Sequence, residues 1–153
     1  MYAVIRLRGS VNLKPQIRDT LISLRLNRIN HCVLVEDNPH YRGMLQVAKD
    51  YIAFGTVDAA TLAGLLEQRG ELDGGKRLTQ EYLKENAKAK GFQEFAEKVL
   101  AGKAKLSDLP GLSPVFRLHP PRHGHRGILK AFRAGGELGA HGDDINQLLH
   151  KMR

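Results

Sequence analysis

The sequence predicts an α+β fold on two observations. Apolar spacing alternates between strand and helix periods across the first 57 residues, and the remainder mixes helical stretches with short strand-like runs set among Pro and Gly. Tyr2–Arg8 opposes Val4 and Arg6 to Ile5 and Leu7 and stops at Gly9-Ser10, which predicts a first strand. From Pro15, which suits a first helical turn, Ile17, Leu21 and Leu24 recur at helical spacing and predict a helix over 15–28. Asn30–Asp37 is apolar and β-branched, ends at Asp37-Asn-Pro39, and predicts a second strand. Met44, Val47, Ala48 and Tyr51 imply a short helix, and Tyr51–Val57 a third strand, so the order is β-α-β-α-β.

Past Val57 the helical period dominates. Asp58 is placed to cap a helix with Leu62, Leu65 and Leu66 on its apolar face and Gly70 at its end. Two further helices are predicted over Thr79–Lys88 and Phe92–Leu100, separated by Gly91. Ser107–Pro114 is a loop, Val115–Leu118 a strand, and Ile128–Phe132 the returning arm of a hairpin. Asp143 or Asp144 is placed to cap a last helix whose Ile145, Leu148, Leu149 and Met152 share a face. The expected organisation is a core over 1–57 and a helical and α+β extension over 58–153 packed on it.

Charge distribution says more than total charge. The formal charge is +8, yet residues 58–110 balance nine basic against nine acidic residues. Residues 1–57 carry eight against four and residues 111–153 seven against three, so anion-holding capacity sits at both ends. Leu109–Gly136 holds Arg117, Arg122, Arg126, Lys130 and Arg133 with no acid among them. Arginine forks suit phosphate oxygens, and contacts of that kind supply affinity and position more than sequence readout.

The single cysteine, Cys32, excludes a disulfide within the chain and a Cys-rich metal knuckle. No apolar run approaches the ~20 residues of a membrane span, and no signal-peptide pattern precedes the first strand, so a soluble cytoplasmic protein is expected. His119, His123 and His125 have suggestive spacing for a metal, but arginines crowd them and acids are distant. Gly74-Gly-Lys-Arg77 lacks the order of a nucleotide phosphate-binding loop. Lys14, Arg18 and Arg25 are spaced by 4 and 7 along one flank of the first helix, and His40-Tyr-Arg-Gly-Met44 opens the second, where free N–H groups favour an anion. No nucleophile stands beside a base in a recognisable arrangement, so no enzyme is expected.

These motifs, in this order, resemble one family. Arg8-Gly-Ser-Val-Asn12, Thr20-Leu-Ile-Ser-Leu-Arg-Leu-Asn-Arg-Ile-Asn-His31 and Arg42-Gly-Met44 are similar to the large-subunit ribosomal protein universally numbered thirty. Tyr51-Ile-Ala-Phe-Gly55, Pro121-Arg-His-Gly124, Gly135-Gly-Glu-Leu-Gly139 and Ile145-Asn-Gln-Leu-Leu-His-Lys-Met152 resemble its longer archaeal and eukaryotic branch, whose eukaryotic member is called L-seven. One departure is Gly127-Ile-Leu-Lys-Ala-Phe-Arg133, which stands where that branch has a basic strand.

The resemblance implies a three-stranded antiparallel sheet in a ferredoxin-like core and a structural role in the large (50S) subunit. It also implies binding to large-subunit rRNA, with the 5S rRNA region and neighbouring ribosomal proteins as further partners, and no membrane, cofactor or small-molecule substrate. The expected RNA-binding set from the first part of the chain is Arg8, Asn12, Lys14, Arg18, Arg25, Arg28, His40, Arg42, Lys76 and Arg77. From the acid-free stretch it is Arg117, His119, Arg122, His123, His125, Arg126, Lys130 and Arg133. The alternatives are a regulatory nucleic-acid-binding module on a ferredoxin-like core and a small metal-dependent hydrolase built on the three histidines.

Overall fold

The first 57 residues alternate as their periods predict: β1 (Tyr2–Arg6), α1 (Pro15–Ser23), β2 (His31–Val35), α2 (Pro39–Ala48) and β3 (Ile52–Thr56). The computed structural model describes residues 1–87 and 89–153. Among these, the chain continues through α3 (Ala59–Arg69), α4 (Gln80–Ala87), α5 (Phe92–Leu100), β4 (Val115–Arg117), β5 (Gly139–Ala140) and α6 (Ile145–Met152). The Lys88 end expected for α4 lies outside the described residues.

The sheet corrects the three-stranded antiparallel expectation: it has five strands, ordered β4-β2-β1-β3-β5, and is mixed. The physical reason lies at its edges. A β2-β1-β3 sheet would leave two rows of unpaired backbone groups, and the extension supplies a partner for each. β4 joins β2 antiparallel, with Cys32 opposite Phe116, and β5 joins β3 parallel, with Phe54 opposite Ala140.

Both faces of the sheet are covered. Val4, Val33 and Ile52 pack with Leu21, Leu24 and Leu45 of α1, α2 and the turn after α1. Ala3, Ile5, Cys32 and Ala53 pack with Leu62, Leu66, Phe95, Ile145 and Leu149 of α3, α5 and α6. The central strand β1 is therefore apolar on both faces, and Ala3, Val4 and Ile5 are fully buried. Burial pushes the Cys32 thiol up to about 12, so it is an inert core residue.

Local details depart from the periodic reading where tertiary contacts intervene. α1 stops at Ser23 rather than at residue 28. Ile128–Phe132 is no hairpin arm: Leu138 N–H donates to Lys130 O, Phe132 N–H to Leu138 O and Glu137 N–H to Gly127 O, closing 127–138 into a loop on itself. A Cβ at Gly136 would lie 2.0 Å from the Lys130 carbonyl oxygen, so this closure requires glycine there. Asp58 and Asp144 stand at N-cap positions without side-chain cap bonds, and Asp143 instead accepts the Thr56 hydroxyl. Buried Asn146 joins these ends, accepting from Asp58 N–H at 3.1 Å and donating to Thr56 O at 3.1 Å.

Candidate nucleic-acid interface

The first loop is held from beneath by an arginine outside the expected set. Arg6 alternates onto the same face of β1 as Val4, and only 4% of its surface is exposed. Its guanidinium donates to Leu26 O (2.7 Å), Asn27 O (3.0 Å), Arg8 O (2.9 Å) and the Ser10 hydroxyl (2.7 Å). Burial lowers its pKa, but a guanidinium remains charged, and its fork ties the loop after β1 to the turn after α1. The signal in the sequence was a lone arginine at an apolar alternation position.

On this support, Leu7 and Arg8 N–H both donate to Tyr51 O, and the Arg8 guanidinium carbon lies 4.8 Å from the centre of the Tyr51 ring. Arg8 also donates to Asp50 O at 3.2 Å, which leaves the Asp50 carboxylate unused by that bond. Asn12 takes a left-handed conformation at φ 54°, tolerable for asparagine, and Lys14 stands exposed at the N-cap of α1. Arg18 lies 3.6 Å from Asp19, both largely exposed, a pair worth little in water.

Arg25 does not share the α1 flank with Lys14 and Arg18. Leu26 N–H donates to Leu21 O and Arg25 N–H to Ile22 O, the double closure that ends a helix with a left-handed residue, and Arg25 holds that position at φ 60°. Glycine is the usual occupant. Arg25→Gly is expected to raise stability by about 1 kcal/mol in urea titration and to weaken rRNA binding by anisotropy. An Arg25 with no RNA contact would give the first change alone. Arg28 is exposed in the same turn.

The extension is fixed just as locally. His119 N–H donates to Met152 O and Arg122 N–H to Lys151 O, so this loop satisfies carbonyls at the end of α6. His123 and Gly124 then turn through left-handed conformations. Arg126 N–H reaches the buried Glu137 carboxylate at 3.4 Å. His125 is partly buried, and burial lowers its pKa against the opposing pull of the Glu137 carboxylate. Phe132 stacks on the buried His141 ring with centroids 4.0 Å apart.

These two parts of the chain meet in one cleft of about 710 Å³, lined by Arg8, Asn12 and Lys14 from the first loop and by Leu129, Phe132 and Arg133 from the extension. Tyr51, Phe54 and Lys49 complete the recess between them. Lys49 was missed in the sequence because Asp50 follows it and makes the pair look neutral. Four cations thus line a cleft in which Asp50 is the single acid among its lining residues.

The remaining candidates lie elsewhere. The Arg42 fork donates to both Asp37 oxygens, at 2.6 and 2.7 Å, which raises the Arg42 pKa, lowers that of Asp37 and matches the charge locally. His40 is exposed in the first turn of α2. Lys76 and Arg77 stand exposed in a separate turn, with Arg77 donating to Gln68 O. Arg117 lies 3.5 Å from Glu71, so the acid-free stretch is not acid-free in space. Among the described residues, no carboxylate forms an ion pair within 4.0 Å with the side chains of Arg122, Arg126, Lys130 or Arg133. Among the same residues, no three His, Cys, Asp or Glu side chains gather where a metal ion would be held.

Comparison with known proteins identifies the family. The family described as Ribosomal protein L30p/L7e matches residues 2–52. "Large ribosomal subunit protein uL30" of Methanocella arvoryzae is 58% identical over 153 residues, covering the whole of both chains. The proteins of the same name from Methanothrix thermoacetophila and Archaeoglobus fulgidus are 58% and 54% identical, again over both full lengths.

Proposed function

The chain belongs to the ribosomal protein L30p/L7e family, and from that premise we propose that its cleft and the basic loops beside it hold large-subunit rRNA. It is a structural constituent of the large ribosomal subunit and not an enzyme. The observation that carries the proposal is the convergence of Arg8, Lys14, Lys49 and Arg133, from both basic ends of the sequence, on one recess. Four cations around one cleft form a continuous phosphate grip, whereas the same charges spread over a surface would only raise the mean potential.

In this reading residues 1–57 are the rRNA-binding core and 58–153 an extension packed on it. Arg122, Arg126 and Lys130 continue the grip outward with His119, His123 and His125 as hydrogen-bonding neighbours. Asn12, Arg18, Arg25, Arg28 and His40 line the core side. Lys76, Arg77, Arg117 and the Asp37-paired Arg42 are peripheral, available to the 5S rRNA region or to neighbouring ribosomal proteins. No observation favours the regulatory-module or metal-hydrolase alternatives.

Release of counterions from neutralised phosphates makes affinity fall with salt. With four phosphates held, log K against log salt should slope at about −3 to −4. Titrating the full chain onto a large-subunit rRNA fragment between 50 and 200 mM salt, about the range over which such slopes are read, checks this. A slope near zero would remove the phosphate-grip reading.

A further inference from the structure

The cleft contains more than a phosphate grip requires. Of the chain's four tyrosines and five phenylalanines, Tyr51, Phe54 and Phe132 line the same recess as the four cations. Leu129, which also lines it, is 79% exposed. Phosphates alone would be met by basic side chains on an open surface, and rings add nothing to that contact. Rings and an exposed leucine beside cations are the pairing found where a protein stacks an unpaired base while holding its backbone.

Size points the same way. A volume of about 710 Å³ falls within the range of about 300–1,000 Å³ usual for sites that enclose one small ligand. An intact RNA helix stays outside such a recess, and its narrow major groove gives side chains no access to its bases. Two contacts also pre-set the walls: the Arg8 guanidinium is fixed against Tyr51, and Phe132 is braced by His141. A surface already ordered loses little freedom when a base enters.

We infer that the cleft takes one unpaired, splayed-out nucleotide of the rRNA, its base against Phe132 and Leu129 and its phosphate against Lys14, Lys49 and Arg133, an assignment that rests on the cleft being an rRNA surface. Stacking is tolerant of base identity, so a purine is favoured for its larger face rather than for a particular sequence.

The test uses two RNA hairpins identical except for one unpaired adenosine in the stem, titrated with the full chain at low salt. Wild type is expected to bind the bulged hairpin about tenfold more tightly, and 2-aminopurine at the bulge is expected to change its fluorescence on binding. Leu129→Ala, at an exposed position, should reduce that preference to less than threefold. Equal affinity of wild type for both hairpins overturns the nucleotide pocket while leaving the phosphate grip intact. An undiminished preference in Leu129→Ala overturns the placement of the base. Failure to bind either hairpin overturns the rRNA-binding reading itself.

Discussion

Lys14→Glu combined with Arg133→Glu should lower affinity for a large-subunit rRNA fragment by at least about a hundredfold. Each substitution removes a charge-assisted phosphate contact, worth about 1.5–3 kcal/mol. Two such losses sum to about 3 kcal/mol or more, and about 1.4 kcal/mol is a factor of ten. Both side chains are exposed, so the urea midpoint should move little. Because the two residues line one cleft although 119 positions apart, their effects should couple. A double-mutant cycle by anisotropy is expected to depart from additivity by about 0.5 kcal/mol or more. Strict additivity would mean two independent grips on separate parts of the RNA. Affinity of the double variant within threefold of wild type would remove the cleft from the binding surface.

Arg6→Met is expected to cost about 3 kcal/mol of folding stability, read as a lower urea midpoint. The substitution keeps much of the side-chain length but removes every donor, leaving the Leu26, Asn27 and Arg8 carbonyls and the Ser10 hydroxyl without this partner. A buried acceptor left unpaired costs about 1–3 kcal/mol, and Leu26 O lies in the buried part of this network. Arg6→Lys should recover less than half, because one ammonium cannot span four acceptors as a planar fork does. Binding should weaken as well, by about tenfold in the folded Arg6→Met protein, since the loop carrying Arg8 and Lys14 loses its anchor. An unchanged midpoint would show that water replaces the arginine without loss.

The core elements were legible because each announces itself within a short window. Pro15 and Pro39 start helices, and β-branched or apolar runs mark β2 and β3. Of the two edge strands, β4 was legible as Val115–Leu118 and β5 was not. Gly139–Ala140 is two residues long, too short to carry a period, and becomes a strand through its pairing with Ala53 and Phe54. Arg25 looked helical by spacing, yet the buried Leu21 and Leu26 close the helix around it.

The residues of the proposed interface divide in the same way. Arg8, Asn12, Lys14 and Arg133 were visible because uncompensated charge and small loop residues surround them in the sequence. Lys49 and Arg6 were not, one hidden by the adjacent Asp50 and the other by its place in an apolar strand. Conversely, Arg42 and Arg117 look free in the sequence but face Asp37 and Glu71 in space. Charge counted along a chain ignores acids delivered by folding from elsewhere.

The two strands that close the sheet edges also set a timetable for the protein's synthesis. Phe54 pairs with Ala140, 86 residues later, and His31 with Arg117, also 86 residues later. At about 5–20 residues per second, roughly 4–17 seconds separate the appearance of each edge from that of its partner. Until its partner appears each edge is an open ladder, and pairings of such long sequence separation form slowly even once both segments are free of the exit tunnel. The ribosome making this chain thus displays an unfinished sheet beside its tunnel mouth for seconds at a time, the stage at which one copy can pair with another and at which a chaperone has most to shield.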